Sequence, residues 1–424
     1  MSLINRVSDK FFQMGIGRSL RHAHYRVYSL TNFVAMIGTW QQRIAIGWLA
    51  WEMTESGFWL GVVAMSESLP LILLVTIAGA VADRVDRLRL LQALQMVQVG
   101  IAAVLTLLTV FGYINIYLLS FFSFGFGLIQ AFHLPVRMTI APNLVPREDL
   151  TPAIGLNAAL FNTSRFVGPI IAGVTIAQFG AGVTLALCVA AMLVFTVGLR
   201  MIELVHHERS STKGSGLIEE MIAGVRYVGT HSSIGPLLLL IMTSAIFSRS
   251  FMDLFPGFAD QVFGQGPEGL GILFSAVGGG GIFGAFWLAH YGKTSGLTKV
   301  SLGTLFMTSI LLIIFSATKL FWVGVVSAAL AGTFLAITAN SSQILIQNTV
   351  DGSMRGRVMS LYSLTYRAGP AMGALLMGGI STWTGLQVPV AGGAIICLIA
   401  LAIIAPHRKR LASELEGTSS LSKS

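Results

Sequence analysis

Apolar runs of about 20 residues, separated by short polar clusters, occupy most of the chain. A helix of about that length crosses the hydrocarbon of a bilayer. The pattern predicts twelve membrane helices, at approximately 28–52, 57–82, 89–111, 116–141, 150–178, 182–203, 233–261, 268–290, 298–317, 320–348, 357–382 and 386–405. Several are long enough to tilt or to project past the hydrocarbon. The longest polar interval, 206–232, divides the helices six and six. Within it Leu217, Ile218, Met221, Ile222, Val225 and Val228 recur at helical spacing, with Glu219, Glu220 and Arg226 between them. This fits an amphipathic helix lying on the membrane surface, or an ordinary solvated linker. The expected fold class is an all-α membrane protein built as two six-helix halves. Its parts are a segment 1–27, a half 28–205, the linker 206–232, a second half 233–406 and a tail 407–424.

Charge sets the expected orientation. With both termini in the cytoplasm, the inner segments hold 21 Lys and Arg residues and the outer loops hold one, Lys319. Positive residues stay inside, so the net charge of +9 is a topology signal and implies no nucleic-acid partner. Trp51, Trp59, Tyr113, Trp322 and Trp383 fall at the outer helix ends, where an interfacial aromatic belt belongs. The charged share is 11%, against roughly 25% in soluble domains. Forty-seven glycines suit close helix packing in lipid. Cys188 and Cys397, in separate apolar runs, read as small core residues and offer neither a disulfide framework nor metal-ligand spacing. The first 25 residues show no removable signal peptide.

The halves echo each other. Arg165-Phe-Val-Gly168-Pro169 in the fifth helix is matched by Arg367-Ala-Gly369-Pro370 in the eleventh, each preceded by a charged loop. Between helices two and three, the stretch Gly79-Ala-Val-Ala-Asp83-Arg84-Val-Asp86-Arg87-Leu-Arg89 is too charged for hydrocarbon and reads as a cytoplasmic loop.

That loop resembles the G-x-x-x-D-R-x-x-R element of major facilitator superfamily transporters. Further residues resemble the enterobactin-exporter-like branch, the transmembrane secretion effectors. They include Gly38-Thr39-Trp40, Gly47-Trp48, Leu69-Pro70, Pro135-Val-Arg137 and Leu144 through Leu150. Pro256-Gly-Phe-Ala259, Gln347 and Arg355 through Ser360 complete the set, and the resemblance runs from about residue 26 to 406. It implies a plasma-membrane, multi-pass transporter, in a bacterial inner membrane, whose halves rock around a midplane site. It implies that Gly79, Asp83, Arg84, Arg87 and Arg89 form a cytoplasmic gate, with Asp83 and Arg84 contacting neighbouring helix ends. It implies that helix one lines the central cavity. The Gly168-Pro169 element resembles the antiporter signature of exporters, with Ser164 where the first Gly of that signature stands. In the second half the matching loop, Ala289 to Lys293, lacks the Asp-Arg pair.

Ionisable groups inside a bilayer are costly and mark function. Eight fall within the predicted helices: Arg43, Glu67, Arg137, Arg165, Arg249, Asp253, Asp260 and Arg367. Arg137 and Asp260 sit where they could snorkel to an interface. Asn32, Thr39 and Arg43 share one face of helix one and could touch substrate or bond internally. Arg249, Asp253, Pro256 and Asp260 share one face of helix seven, where Arg249 and Asp253 could pair. Glu67 and Asp253 are the candidate proton carriers. Asn340, Gln343 and Gln347 in helix ten suit substrate binding or interhelical glue. His133 reads as a satisfied structural group. Gly278 to Gly281 has no following Lys-Ser/Thr, so no ATP-binding loop, cofactor or metal is expected, and transport draws on an ion gradient. No nucleophile–base pair suggests an enzyme. The expected function is proton-coupled efflux of a small organic molecule. The arginine excess favours an anionic or zwitterionic one, siderophore- or drug-like. Alternatives are a proton-coupled importer and a non-transporting membrane sensor or scaffold.

Overall fold

The computed structural model describes residues 15–203 and 217–417. The side chains of 15–16, 75–77, 79–80, 82–84, 138–139, 141–142 and 217–222 lie outside the description. All regular structure among the described residues is helical. A 3-10 turn, Gly15–Arg21, precedes α1 (Ala23–Thr54), α2 (Gly57–Arg84), α3 (Arg87–Val110) and α4 (Ile116–Ile140). Leu150–Arg200 is one helical stretch that breaks at Gly180, whose φ of 80° and ψ of 168° only glycine adopts without strain. Its limbs before and after Gly180 are α5 and α6. Then follow α7 (Leu217–Thr230), α8 (Ile234–Phe247), α9 (Gly266–Tyr291), α10 (Leu297–Ala317) and α11 (Phe321–Thr349). The chain ends with α12 (Arg355–Thr384), α13 (Gln387–Ile404) and α14 (Arg408–Glu416).

Nine stretches of the described residues are long and apolar enough to cross a membrane. The expected spans 150–178 and 182–203 fall in one of them, bent at Gly180. The expected spans 28–52 and 357–382 are helical but outside the nine. Gln41, Gln42 and Arg43 dilute the first, and Arg357 and Arg367 dilute the second.

Two expectations about local structure change. The charged loop shrinks to Val85 and Asp86, because α2 continues through Gly79, Asp83 and Arg84. The N-terminus of α3 is capped by Asp86, whose carboxylate accepts from the Arg89 amide at 2.9 Å. The helix expected over 233–261 ends at Phe247. Beyond it run a 3-10 turn (Ser250–Leu254), one α turn (Phe255–Gly257) and a π turn (Phe258–Val262). Pro256 cannot donate to the preceding turn, and the Phe255 amide bonds Met252 in 3-10 fashion. Phe251, Phe255, Phe258 and Phe263 from this segment pack on Phe315 of α10, with centroids 4.9–5.7 Å from its ring.

The chain divides into two compact units, 1–49 with 69–212 and 50–68 with 213–424. The boundary differs from the expected 28–205 half: the end of α1 and the start of α2 go with the second unit. There a Cβ on Gly61 would lie 2.5 Å from the Ala374 carbonyl of α12. In the first unit a core forms from Tyr25, Tyr28, Leu91, Val136, Ile140, Phe195 and Leu199, among others. In the second, Ile234, Leu345, Ile346, Val358 and the tail residues Leu411 and Leu415 lie in one buried cluster. Cys188 and Cys397 are buried.

Candidate functional site

Helix α1 does not present its three polar residues alike. Asn32 is buried, whereas Thr39 and Arg43 are exposed. Thr39 donates to its own helix at Ala35. The Asn32 Oδ1 accepts from Arg137 Nη2 at 2.7 Å. Arg137 thus reaches into the first unit and does not snorkel, because a buried amide oxygen of α1 faces it. His133 lies one turn before Arg137 on α4, and Tyr28 is buried in the same unit. Asn32 Nδ2 and His133 Nε2 are buried without a hydrogen-bond partner among the described residues, so His133 is not the satisfied group expected. The i, i+4 pairing of His133 with Arg137 was the one sequence signal for this cluster.

Trp40 organises the adjoining part of the unit. The guanidinium carbons of Arg43 and Arg165 lie 5.9 and 5.8 Å from its ring centroid, within cation–π range. Phe161 meets the same ring edge-on at 6.3 Å. This crowding needs Gly168: a Cβ there would lie 2.6 Å from the Trp40 Cβ. The Gly-Pro element of α5 therefore seats α5 on α1.

The second unit repeats the device. A Cβ on Gly369 would lie 2.5 Å from the Ala245 Cβ, which seats α12 on α8. Pro370 has no amide hydrogen, so the carbonyl four residues earlier, at Tyr366, lacks its helical donor. Arg249 supplies one: its Nη1 donates to the Tyr366 oxygen at 3.1 Å, and its guanidinium lies 3.7 Å from the Tyr366 ring centroid. Tyr362 stacks with Tyr366 at 5.9 Å and donates to the Ala339 carbonyl of α11. Arg249 and Asp253 were expected on one face of a continuous helix; the 3-10 turn between them removes that register. Asp253 is half-buried, and Glu67, three residues before Pro70, is exposed on α2.

On α11 two hydroxyls tie helices together. Ser342 bonds Ser301 at 2.8 Å and Thr338 bonds Thr304 at 2.7 Å, both on α10. Asn340, Gln343 and Gln347 are half-buried. The gate residues Gly79, Asp83 and Arg84 end α2, but their side chains lie outside the description. Arg87 and Arg89 open α3.

Trp51 is not part of an exposed belt. It is 2% exposed, and its indole donates to Asp260 at 2.9 Å. Trp322 and Trp383 are 69% and 86% exposed. Two staples escaped the sequence reading. Buried Asp149 holds Arg18 at 2.6 Å, Arg21 at 2.7 Å and His22 at 2.6 Å, docking the N-terminal turn. At the other terminus Glu416 of α14 accepts from the Gly296 and Thr298 amides at 2.6 and 2.8 Å, at the start of α10. Acidic groups there complement the helix dipole. Glu414 accepts from Ser232 and Ser233. Sequence spacing carries no hint of either, since the partners are far apart in the chain.

An all-helical chain with embedded arginines and paired Gly-Pro helix contacts has the character of a membrane transporter, and its fold is found in one. The crystal structure of the nucleoside transporter NupG superposes with a TM-score of 0.71 at 12% identity, covering 91% of this chain and 98% of that one. The protein is a multi-pass bacterial membrane transporter of the major facilitator superfamily. Residues 18–422 match the transmembrane secretion effectors, and the chain belongs to that family. Similar relatives include the staphyloferrin A transporter of Staphylococcus aureus, 24% identical over 82% of this chain and 87% of its own. The enterobactin exporter EntS of Shigella boydii is 24% identical over 87% of both chains.

Proposed function

We propose that the protein is a secondary active exporter, moving a small anionic or zwitterionic organic molecule out of the cytoplasm by proton antiport. The observation that carries this reading is the excess of arginine within the helices: Arg43, Arg137, Arg165, Arg249 and Arg367 against Glu67, Asp253 and Asp260. An excess of guanidinium over carboxylate favours an oxyanion-bearing substrate, whatever pairs the helices make among themselves. Export is supported by the relative described as an enterobactin exporter. Twelve spans follow if α1 and α12 join the nine apolar stretches and the stretch bent at Gly180 crosses twice. Both termini then lie in the cytoplasm, with α7 on its surface. Asp83 and Arg84, with Gly79, Arg87 and Arg89, form the cytoplasmic gate. Asn32, Thr39 and Arg43 are the substrate-binding candidates of the first unit, and Arg249, Asn340, Gln343 and Gln347 those of the second.

Glu67 and Asp253 carry the proton. Inside-out vesicles with an acidic lumen test this, using enterobactin, staphyloferrin A and other carboxylate-bearing products as trial substrates. At least one should accumulate, and nigericin should abolish accumulation. Glu67→Gln or Asp253→Asn should lose gradient-driven accumulation yet keep counterflow exchange. Accumulation that survives nigericin removes the proton from the mechanism, and accumulation that survives both substitutions places proton carriage elsewhere or makes the coupling ion another one.

A further inference from the structure

Arg367 is the thirteenth of the 30 residues of α12, roughly 18 Å from the helix start at 1.5 Å per residue. It follows Tyr366 directly, and Tyr366 is the residue whose carbonyl and ring the Arg249 guanidinium sits on. Two guanidiniums therefore share one place on α12, wholly within the second unit. They are not equivalent. Arg249 is fixed by the Tyr366 carbonyl that Pro370 leaves open and by the ring beneath it. Arg367 is exposed and makes no hydrogen bond or ion pair with any described residue. A guanidinium has five N–H donors and no acceptor. Beside a second cation, water solvates such a group, and an anion that replaces the water also offsets both charges.

We propose that Arg367, backed by Arg249, forms an oxyanion site that binds a carboxylate of the transported molecule. The site rests on the transporter reading above and adds to it a position and a binding mode. Arg249 supplies fixed positive charge; Arg367 is the arm that makes the bidentate contact, the geometry in which arginine and carboxylate pair best. Phospholipid phosphate offers related oxyanion chemistry, so the test must separate lipid from substrate.

The test measures binding of 1-pyrenebutyrate and of its primary amide by fluorescence anisotropy to the full chain in nanodiscs, with empty discs subtracted. The probes differ only in the charged group. Wild-type protein should bind the carboxylate at least tenfold more tightly than the amide, in phosphatidylcholine and in phosphatidylglycerol discs alike. Arg367→Gln should bring the two affinities together, and Arg367→Lys, which keeps the charge, should retain part of the difference. Absence of any preference in the wild type, no binding included, overturns the proposal. So does a preference that persists in Arg367→Gln. A preference lost only in phosphatidylglycerol discs assigns the site to lipid and overturns it as a substrate site. Binding needs no gradient, so failure here is read separately from failure of export.

Discussion

The Tyr366 carbonyl shows how one residue's chemistry is completed by another 117 positions away. An unpaired buried carbonyl costs about 1–3 kcal/mol. Arg249→Met removes the donor, and the protein should melt lower by that order in detergent. Adding Pro370→Ala restores a helical amide to the same carbonyl and should recover most of the loss. An Arg249→Met protein with unchanged melting, or no recovery in the double variant, would sever the link between the two residues. Asp149 works the same way with charge. Asp149→Asn withdraws the carboxylate from Arg18, Arg21 and His22. Trypsin should then cut after Arg18 or Arg21 several-fold faster than in wild type; equal rates would mean that the turn is held by other contacts. At this scale the sequence was half legible. Embedded arginines stand out because hydrocarbon excludes charge. Their partners do not, because Pro370 frees a carbonyl whose new donor depends on which helix packs alongside. Arg137 shows the limit: its position suggested an interface, and only the fold brings Asn32 to it.

Among elements, Gly168 and Gly369 do the same work in the two units. Each removes the one side-chain atom that would hold two helices apart. Gly369→Ala places a methyl against Ala245 and should destabilise by about 1–3 kcal/mol, the usual cost of overpacking. Ala245→Gly in the same chain should relieve it. A double variant no more stable than Gly369→Ala would locate the strain elsewhere. The internal repeat was readable because Gly-Pro recurs at matching places in both halves. The break after Phe247 was only partly readable. Pro256 signalled a bend, but the sequence of 3-10, α and π turns depends on the phenylalanine cluster around Phe315. The place of Asp86 as the cap of α3 turns on where α2 stops, and helix ends are the least determined part of an apolar pattern.

For the whole molecule, the proposed orientation makes a direct prediction. Cysteine at exposed Arg226 on α7 should resist impermeant thiol reagents in intact cells, while cysteine at exposed Lys319 should react. Both native cysteines are buried and give little background. Ready labelling at 226 in sealed cells would invert the topology. Fold class was the most legible feature, since the length and the apolarity of the runs constrain it together.

The way α2 runs from one compact unit into the other also bears on how such a chain can be divided. Residues 50–68 are encoded with the first half but pack with the second, Gly61 lying against Ala374 and Trp51 bonding Asp260. A gene split at the linker would therefore not yield two self-sufficient modules. The N-terminal product would carry a hairpin stripped of its packing partners, and the C-terminal product would lack the indole that its Asp260 accepts from. Covalent order and packing order differ in this protein, and a hybrid made by exchanging halves with a relative would have to exchange that hairpin with the half it packs on.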